Sequence, residues 1–403
     1  MGREIFLLIT AASAMEVWNT VNGDEALLLP RQKILGDWMR DGESDTSAPL
    51  VVGVMYPAEW ELRSSEEFER DIAALKAVDP RIEVLDVRYS ETEQLRTQRG
   101  AKPHEDYRQL CPELTQQQRD AFGRVEIALA MDLPFDVATV APNLRWVQGM
   151  GAGASQLLSA GLGEAGIRLT NAAGVNAVSI SEFVLARLLQ HWKRLPEIDA
   201  MQRAHRWEPK YGKEIAGSTL GIVGFGAIGR QVALRARAFG MEVLATRASA
   251  RPGDSDPDVD ELFPANQLHN MLARCDAIVS AVPEQATTRG LFGNVEFAAM
   301  PKGSLFINVG RGSAVDERAL SEALSSGHLA GAAIDVASTE PLEASSALWE
   351  VPNLLISAHC STSSDNFWAN LHALFRANLQ RYLAGESLKN QVVFDDEGRK
   401  GEM

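Results

Sequence analysis

The sequence predicts an α/β protein built on two parallel sheets, each covered by helices. Three observations lead there. At 403 residues the chain is longer than one hydrophobic core usually organises, so two domains are expected. Short apolar runs alternate with polar helical stretches in two separate blocks, one starting near Leu50 and one near Leu220. At the head of the second block, a glycine-rich turn, GFGAIG, lies between an apolar strand and an apolar-periodic helix.

Residues 1–48 show no strong period and end in the turn-rich stretch DGESDTSAP, so they read as an extension with some helix around 25–39. Arg3, the apolar run 5–9 and the Ala12-Ser13-Ala14 triplet faintly resemble a secretory leader. Glu4 and the brevity of the run argue against one, and a cytoplasmic protein is expected. In the first block, strands are predicted at 50–55, 82–87, 125–131 and 144–148, with a helix at 65–76. Residues 90–120, rich in Gln, Arg and Glu, read as a solvated insertion. The stretch 176–195 is a long amphipathic helix, placed either as a link between domains or as a contact with a second subunit. Six strands follow at 220–223, 242–245, 277–281, 304–309, 331–335 and 354–357, the count of a complete dinucleotide-binding fold.

Composition narrows the function. With 45% hydrophobic and 23% charged residues the chain reads as an ordinary globular protein. Its formal charge of -15 argues against nucleic acid or an anionic membrane surface as the main partner, since both call for clustered Lys and Arg. Cys111, Cys275 and Cys360 lack metal-type spacing, so neither a disulfide framework nor a metal site is expected. No run approaches the ~20 apolar residues of a membrane span.

The turn GFGAIG assigns chemistry to its glycines. Gly224 makes the tight turn, Gly226 admits a pyrophosphate close to the backbone, and Gly229 lets helix pack on strand. The helix that opens at Ala227 and Ile228 offers free N–H groups and a positive dipole end to phosphates. At the end of the next strand, GMEVLATRAS puts Thr246, Arg247 and Ser249 where an acid would hold the ribose of NAD. Arg247 can pair with a 2'-phosphate and the hydroxyls can donate to it, so NADP(H) is the preferred cofactor and NAD(H) the alternative. The competing reading has Arg247 stacking on adenine or facing solvent in a protein that accepts both.

Three groups at strand ends supply acid–base chemistry. Arg311 follows a strand ending near Val309, Glu340 lies five residues past Asp335, and His359 follows LLIS. Reduction of a ketone needs a proton at oxygen and a cation for a substrate carboxylate. His359 suits proton transfer, Glu340 would orient it, and Arg311 would bind the carboxylate. Each also has an ordinary structural alternative: an ion pair, a loop acid and a core histidine.

With these motifs the sequence resembles the D-isomer-specific 2-hydroxyacid dehydrogenases, glyoxylate/hydroxypyruvate reductases among them. The resemblance runs from about Leu144 to Leu388 through GIVGFGAIG, INVGRGSAVDERAL, GAAIDVASTEPL and ISAH, in the family's order. It implies catalytic roles for Arg311, Glu340 and His359. It also implies that Asp335 holds the nicotinamide carboxamide, that Val282-Pro283 and Val309-Gly310 line the cofactor, and that the N–H groups of Ala152 and Gly153 bind substrate carboxylate. The implied fold is two Rossmann-like or flavodoxin-like doubly wound domains with a cleft between them. A substrate domain would comprise 1–171 plus 364–403 and a dinucleotide domain 172–363. A homodimer through the dinucleotide domain is implied as well.

Ala358 stands where the family has proline, which predicts a less rigid loop, and Cys360 is read as packing. Candidate substrates are glyoxylate and hydroxypyruvate, a bulkier 2-keto acid, or an oxyanion such as phosphite, with Trp60 and Met150 among the side chains expected to set substrate size. Glu340 disfavours formate dehydrogenase, whose pattern has glutamine there. The lack of a C-terminal regulatory module disfavours the long phosphoglycerate dehydrogenases. A different class of function is a dinucleotide-sensing interaction protein with little turnover, since corepressors share this fold and keep the same three residues.

Overall fold

The computed structural model describes residues 48–56, 64–103, 105–362 and 365–394. The expected extension up to residue 47, its helix at 25–39 and Trp60 lie outside them. Two all-parallel sheets organise the described chain. The first has the order β2-β1-β3-β4-β5, with β1 Leu50–Val54, β2 Ile82–Asp86, β3 Ile127–Ala130, β4 Trp146–Gly149 and β5 Arg168–Thr170. The second has the order β12-β11-β10-β9-β6-β7-β8. Its strands are β6 Thr219–Val223, β7 Glu242–Arg247, β8 Glu261–Pro264, β9 Ala277–Ser280, β10 Leu305–Asn308, β11 Gly331–Ile334 and β12 Leu354–Ile356. Both are doubly wound, and each reverses direction beside its first strand, where ligands gather in such sheets.

Burial explains why the strands read as apolar runs. Residues of β3, β4, β9, β10 and β11 are buried throughout, as expected when helices cover both faces of a parallel sheet. The helices that matter here are α1 Ser65–Lys76, α2 Glu93–Ala101, α3 Gln116–Phe122, α4 Ala177–Trp192, α5 Leu195–Arg203, α6 Ala227–Ala238, α7 Glu317–Ser325 and α8 Phe367–Leu383. Helix α1 begins at a capping box in which Ser64 and Glu67 satisfy each other's backbone N–H groups. Helix α8 returns the chain to the first sheet, where Trp368, Leu371, Phe375 and Leu379 pack with Val52 and Trp146.

Several expectations need correction. The second sheet has seven strands, not six: β8, reading ELFP, is too short and ends on a proline, so it leaves little periodic signal. The three-residue β5 was likewise below the pattern's reach. The helix expected over 176–195 stops at Trp192. Arg194 takes a left-handed conformation, φ 56°, and α5 starts anew with Pro196 in its first turn.

The stretch 90–120 is not a solvated insertion throughout. It forms α2 and α3, and it buries Glu91 and Arg99. The Arg99 guanidinium donates to Glu91 and to the Leu133 carbonyl at 2.8 Å, and its Nε donates to Ser159 at 2.7 Å. Burial is the main force that raises the Glu91 pKa, partly offset by the charge of Arg99. Beside this pair, Arg96 grips the buried Asp132 with two hydrogen bonds of 2.7 and 2.8 Å.

Candidate active site

The glycine turn sits at the reversal point of the second sheet, between β6 and β9. Gly224 has φ +98°, and a Cβ there would come within 2.8 Å of the Ala281 backbone, so only glycine fits. A Cβ at Gly226 would meet nothing within 4 Å, which leaves open space over the N-terminus of α6. Ala227, Ile228 and Gly229 form the first turn of that helix, whose N–H groups have no partner within the helix itself. The opposite side of the groove is drawn tight by Gly310, where a Cβ would lie 2.7 Å from the Val282 carbonyl oxygen. Val282, Val309 and Gly310 are buried there, while Pro283 is exposed.

At the end of β7 the Thr246 carbonyl accepts from the N–H groups of Gly224 and Phe225, at 3.2 and 2.9 Å, and its side chain is buried. Ser249 is exposed. Arg247 is half-buried, and its Nε is buried without a hydrogen bond among the described residues. Sequence reading missed the neighbouring acid. Asp256 lies 3.5 Å from Arg247 and is clamped by both terminal nitrogens of Arg230, at 2.9 and 2.6 Å. The hydrogen bond from Arg230 holds the Asp256 carboxyl below its ordinary range. It sits in the turn-rich stretch PGDSDPDVD, where nothing local marks one aspartate from the others.

Arg311, Glu340 and His359 each follow a strand end, of β10, β11 and β12 respectively. The His359 Nδ1 lies 2.8 Å from the Glu340 Oε2. The other Glu340 oxygen accepts from the Ala337 N–H at 2.9 Å. The hydrogen bond that His359 donates to Glu340 raises the His359 pKa, against burial, with the charges of Glu340 and Asp335 adding to it and Arg311 opposing. Burial pushes the Glu340 carboxyl up, yet the bonds from His359 and Ala337 with the charges of His359 and Arg311 outweigh it, and its pKa is lowered. The two therefore stabilise each other as an ion pair. Arg311 is half-buried, donates to the Gly310 carbonyl at 2.7 Å, and lies 3.5 Å from where a Cβ on Gly153 would stand. A side chain at Gly312 would strike the Ala337 backbone, so glycine lets the Arg311 and Glu340 loops touch.

The buried Asp335 organises the histidine loop. Its Oδ1 accepts from the Ser357 hydroxyl at 2.6 Å and from the N–H of Cys360 at 3.1 Å; its Oδ2 accepts from the N–H and hydroxyl of Ser361. The His359 N–H donates to the Asp335 carbonyl at 2.8 Å while His359 holds φ +51°. A left-handed non-glycine residue costs of order 1–2 kcal/mol, which these bonds offset. The loop that Ala358 leaves without a proline is thus restrained from beneath. Cys360 does not pack: its side chain is exposed.

Ala152 and Gly153 are exposed just past β4, on the side that faces Arg311. Met150, expected to shape the substrate space, is instead buried in the core. A cavity of about 490 Å³ opens beside the His359–Glu340 pair, lined by Glu340, His359, Leu342 and Trp349 on one side and by Glu93 and Thr97 of α2 on the other. No sequence signal singled out those last two residues. Among the described residues no cluster of His, Cys, Asp and Glu could hold a metal ion, and no helix is long and apolar enough to cross a membrane.

A glycine turn at a sheet reversal, beside a loop-borne arginine and a histidine–glutamate pair, defines a nicotinamide dinucleotide-binding α/β protein. Residues 185–361 match the family model described as D-isomer specific 2-hydroxyacid dehydrogenase, NAD binding domain. Glyoxylate/hydroxypyruvate reductase B of Klebsiella pneumoniae is 32% identical over 293 residues, 70% of this chain and 89% of that protein. The D-3-phosphoglycerate dehydrogenase of Mycobacterium leprae is 33% identical over 262 residues, 64% of this chain, and the chain spans about half its length, 49%. The crystal structure of an NADPH-dependent glyoxylate/hydroxypyruvate reductase from Sinorhizobium meliloti, in complex with NADP and sulfate, superposes with a TM-score of 0.62 at 26% identity, covering 86% of this chain and 98% of that one. The chain belongs to the D-isomer-specific 2-hydroxyacid dehydrogenase family.

Proposed function

We propose that the protein interconverts small 2-keto acids and D-2-hydroxy acids, with NADPH preferred to NADH. The observation that carries this reading is the 2.8 Å His359–Glu340 pair, set at a sheet edge with Arg311 beside Gly153. Bound over the Gly224–Gly229 turn, a reduced nicotinamide dinucleotide would supply the hydride to the keto carbon. Arg311 and the N–H groups of Ala152 and Gly153 hold the substrate carboxylate. The His359 Nε2, free of Glu340, donates the proton to the keto oxygen, and Glu340 fixes the ring and keeps it charged until then. Asp335 braces the loop, and any contact it makes to a carboxamide shares oxygens already engaged there.

The preference for NADPH is supported by the partly exposed Arg247 guanidinium at the end of β7, which a 2'-phosphate could share with Asp256 3.5 Å away, and by the NADP bound in the S. meliloti relative. Thr246 and Ser249 stand at the same end of β7, and Val282, Pro283, Val309 and Gly310 line the facing wall. Residues 1–171 with 364–403 form the substrate domain and 172–363 the dinucleotide domain in this reading. The partner is a second copy of the chain. Leu195, Ile198, Trp207 and Tyr211 leave an exposed apolar face on and after α5, whereas the apolar stripe of α4 is spent on its own core. Three free cysteines suit a reducing cytoplasm.

The test is oxidation of NADPH and NADH, followed by absorbance, with glyoxylate and hydroxypyruvate. Saturable turnover, faster with NADPH, is expected, and His359→Ala should lose kcat far more than cofactor affinity. Tight dinucleotide binding with no turnover of any 2-keto acid would favour a sensing role instead.

A further inference from the structure

Helix α2 turns its two sides to different tasks. Leu95 and Arg99 are buried in the first lobe. Glu93 and Thr97, one turn apart and so on one face, are exposed and line the cavity shared with His359 and Glu340. The helix is held firmly. Thr92 caps its N-terminus, Arg96 grips Asp132, and Arg99 is anchored to Glu91, Leu133 and Ser159.

We propose that α2 is the specificity wall of the substrate site, and that Glu93 selects 2-keto acids with an aliphatic side chain ending in a cationic group. This rests on the reductase reading above and names its substrate class. Across the cavity Leu342, Pro341 and the Trp349 ring offer an apolar and aromatic surface for methylenes. The cation nearest to Glu93 on its own helix is Arg96, whose guanidinium is committed to Asp132. Glu340 is neutralised by His359. Glu93 feels the charge of Arg96, but that charge is shared with Asp132, and Arg311 is taken by the substrate carboxylate in the proposed pose, so Glu93 is the carboxylate left to face a substrate side chain. A side chain ending in carboxylate or phosphate would meet like charge there, and one ending in guanidinium would meet its complement. Thr97 adds a hydroxyl able to accept from the same group.

The experiment compares kcat/KM, with NADPH, for three 2-keto acids: 2-keto-5-guanidinopentanoate, 2-ketohexanoate and 2-ketoglutarate, with glyoxylate as the reference that has no side chain. The guanidinium acid should exceed the dicarboxylate by at least about tenfold, with the aliphatic acid between. Glu93→Lys should lower that ratio at least about tenfold, and Thr97→Lys, on the same face, should move it the same way. A wild-type preference for 2-ketoglutarate, reduction of glyoxylate alone, or a ratio unmoved in both variants would overturn this inference and leave the reductase reading standing. Failure to reduce any of the four would instead overturn the reductase reading itself.

Discussion

Glu340→Gln isolates the charge of the proposed catalytic pair. Glutamine keeps the size of the side chain and can still accept from the Ala337 N–H, but it presents no negative charge to His359. A hydrogen bond between charged partners contributes roughly 1.5–3 kcal/mol in protected surroundings. Here the His359 and Glu340 side chains are 47% and 38% exposed, so solvent screening holds the effect near the lower end, about 1.5 kcal/mol. That corresponds to about tenfold in kcat/KM for keto-acid reduction at neutral pH. The pH profile carries the sharper information. Reduction needs the imidazolium, so its rate falls as pH rises through the His359 pKa, which Glu340 raises. In the variant that fall should move toward acid, while Asp335, which also raises the pKa, limits the displacement. Steady-state kinetics across pH 5 to about 10 would show it. A variant profile that coincides with the wild type, or moves toward alkali, would refute the role given to Glu340.

Arg247→Asp should reverse the cofactor preference toward NADH, measured as the ratio of kcat/KM for the two cofactors, because a carboxylate repels a 2'-phosphate and can hold a ribose hydroxyl. Arg99→Met leaves the buried Glu91 without its cation and should cost about 3–5 kcal/mol in urea unfolding. Trp207→Arg should turn a dimer into a monomer in sedimentation equilibrium, since it replaces a fully exposed apolar ring of the proposed interface with a charge.

Much of the site was legible because parallel sheets announce themselves. Their strands are apolar on both faces, and the residues just beyond them lie at one edge, so Arg311, Glu340 and His359 could be read as neighbours from strand positions alone. What escaped was written in other terms. Helix α2 buries an arginine, and Leu95 is the only large apolar residue along it, so hydrophobic periodicity gave no helix and composition suggested a solvated segment. Asp256 gains its meaning from Arg230, 26 residues away in sequence, and no local pattern links them. The bracing by Asp335 depends on a tight return of residues 357–361 across the end of β11, which a left-handed histidine makes possible and which the sequence ISAHCS does not advertise.

The division of labour between elements follows from that geometry. The candidate catalytic groups sit on loops that follow strand ends: Asp335 fixes the histidine loop, Gly312 lets the arginine loop pack against the glutamate loop, and Glu340 closes the set. These groups share contacts, so substitutions among them are expected to be non-additive. Helix α2 is anchored through a buried ion pair between Arg99 and Glu91 and, among the described residues, touches the cavity through the exposed Glu93 and Thr97. Its cavity-facing residues can change without moving an anchor. Under the roles proposed above, reaction chemistry and substrate choice are mechanically separable, with the choice of substrate made by an exposed helix face rather than by the core of either sheet.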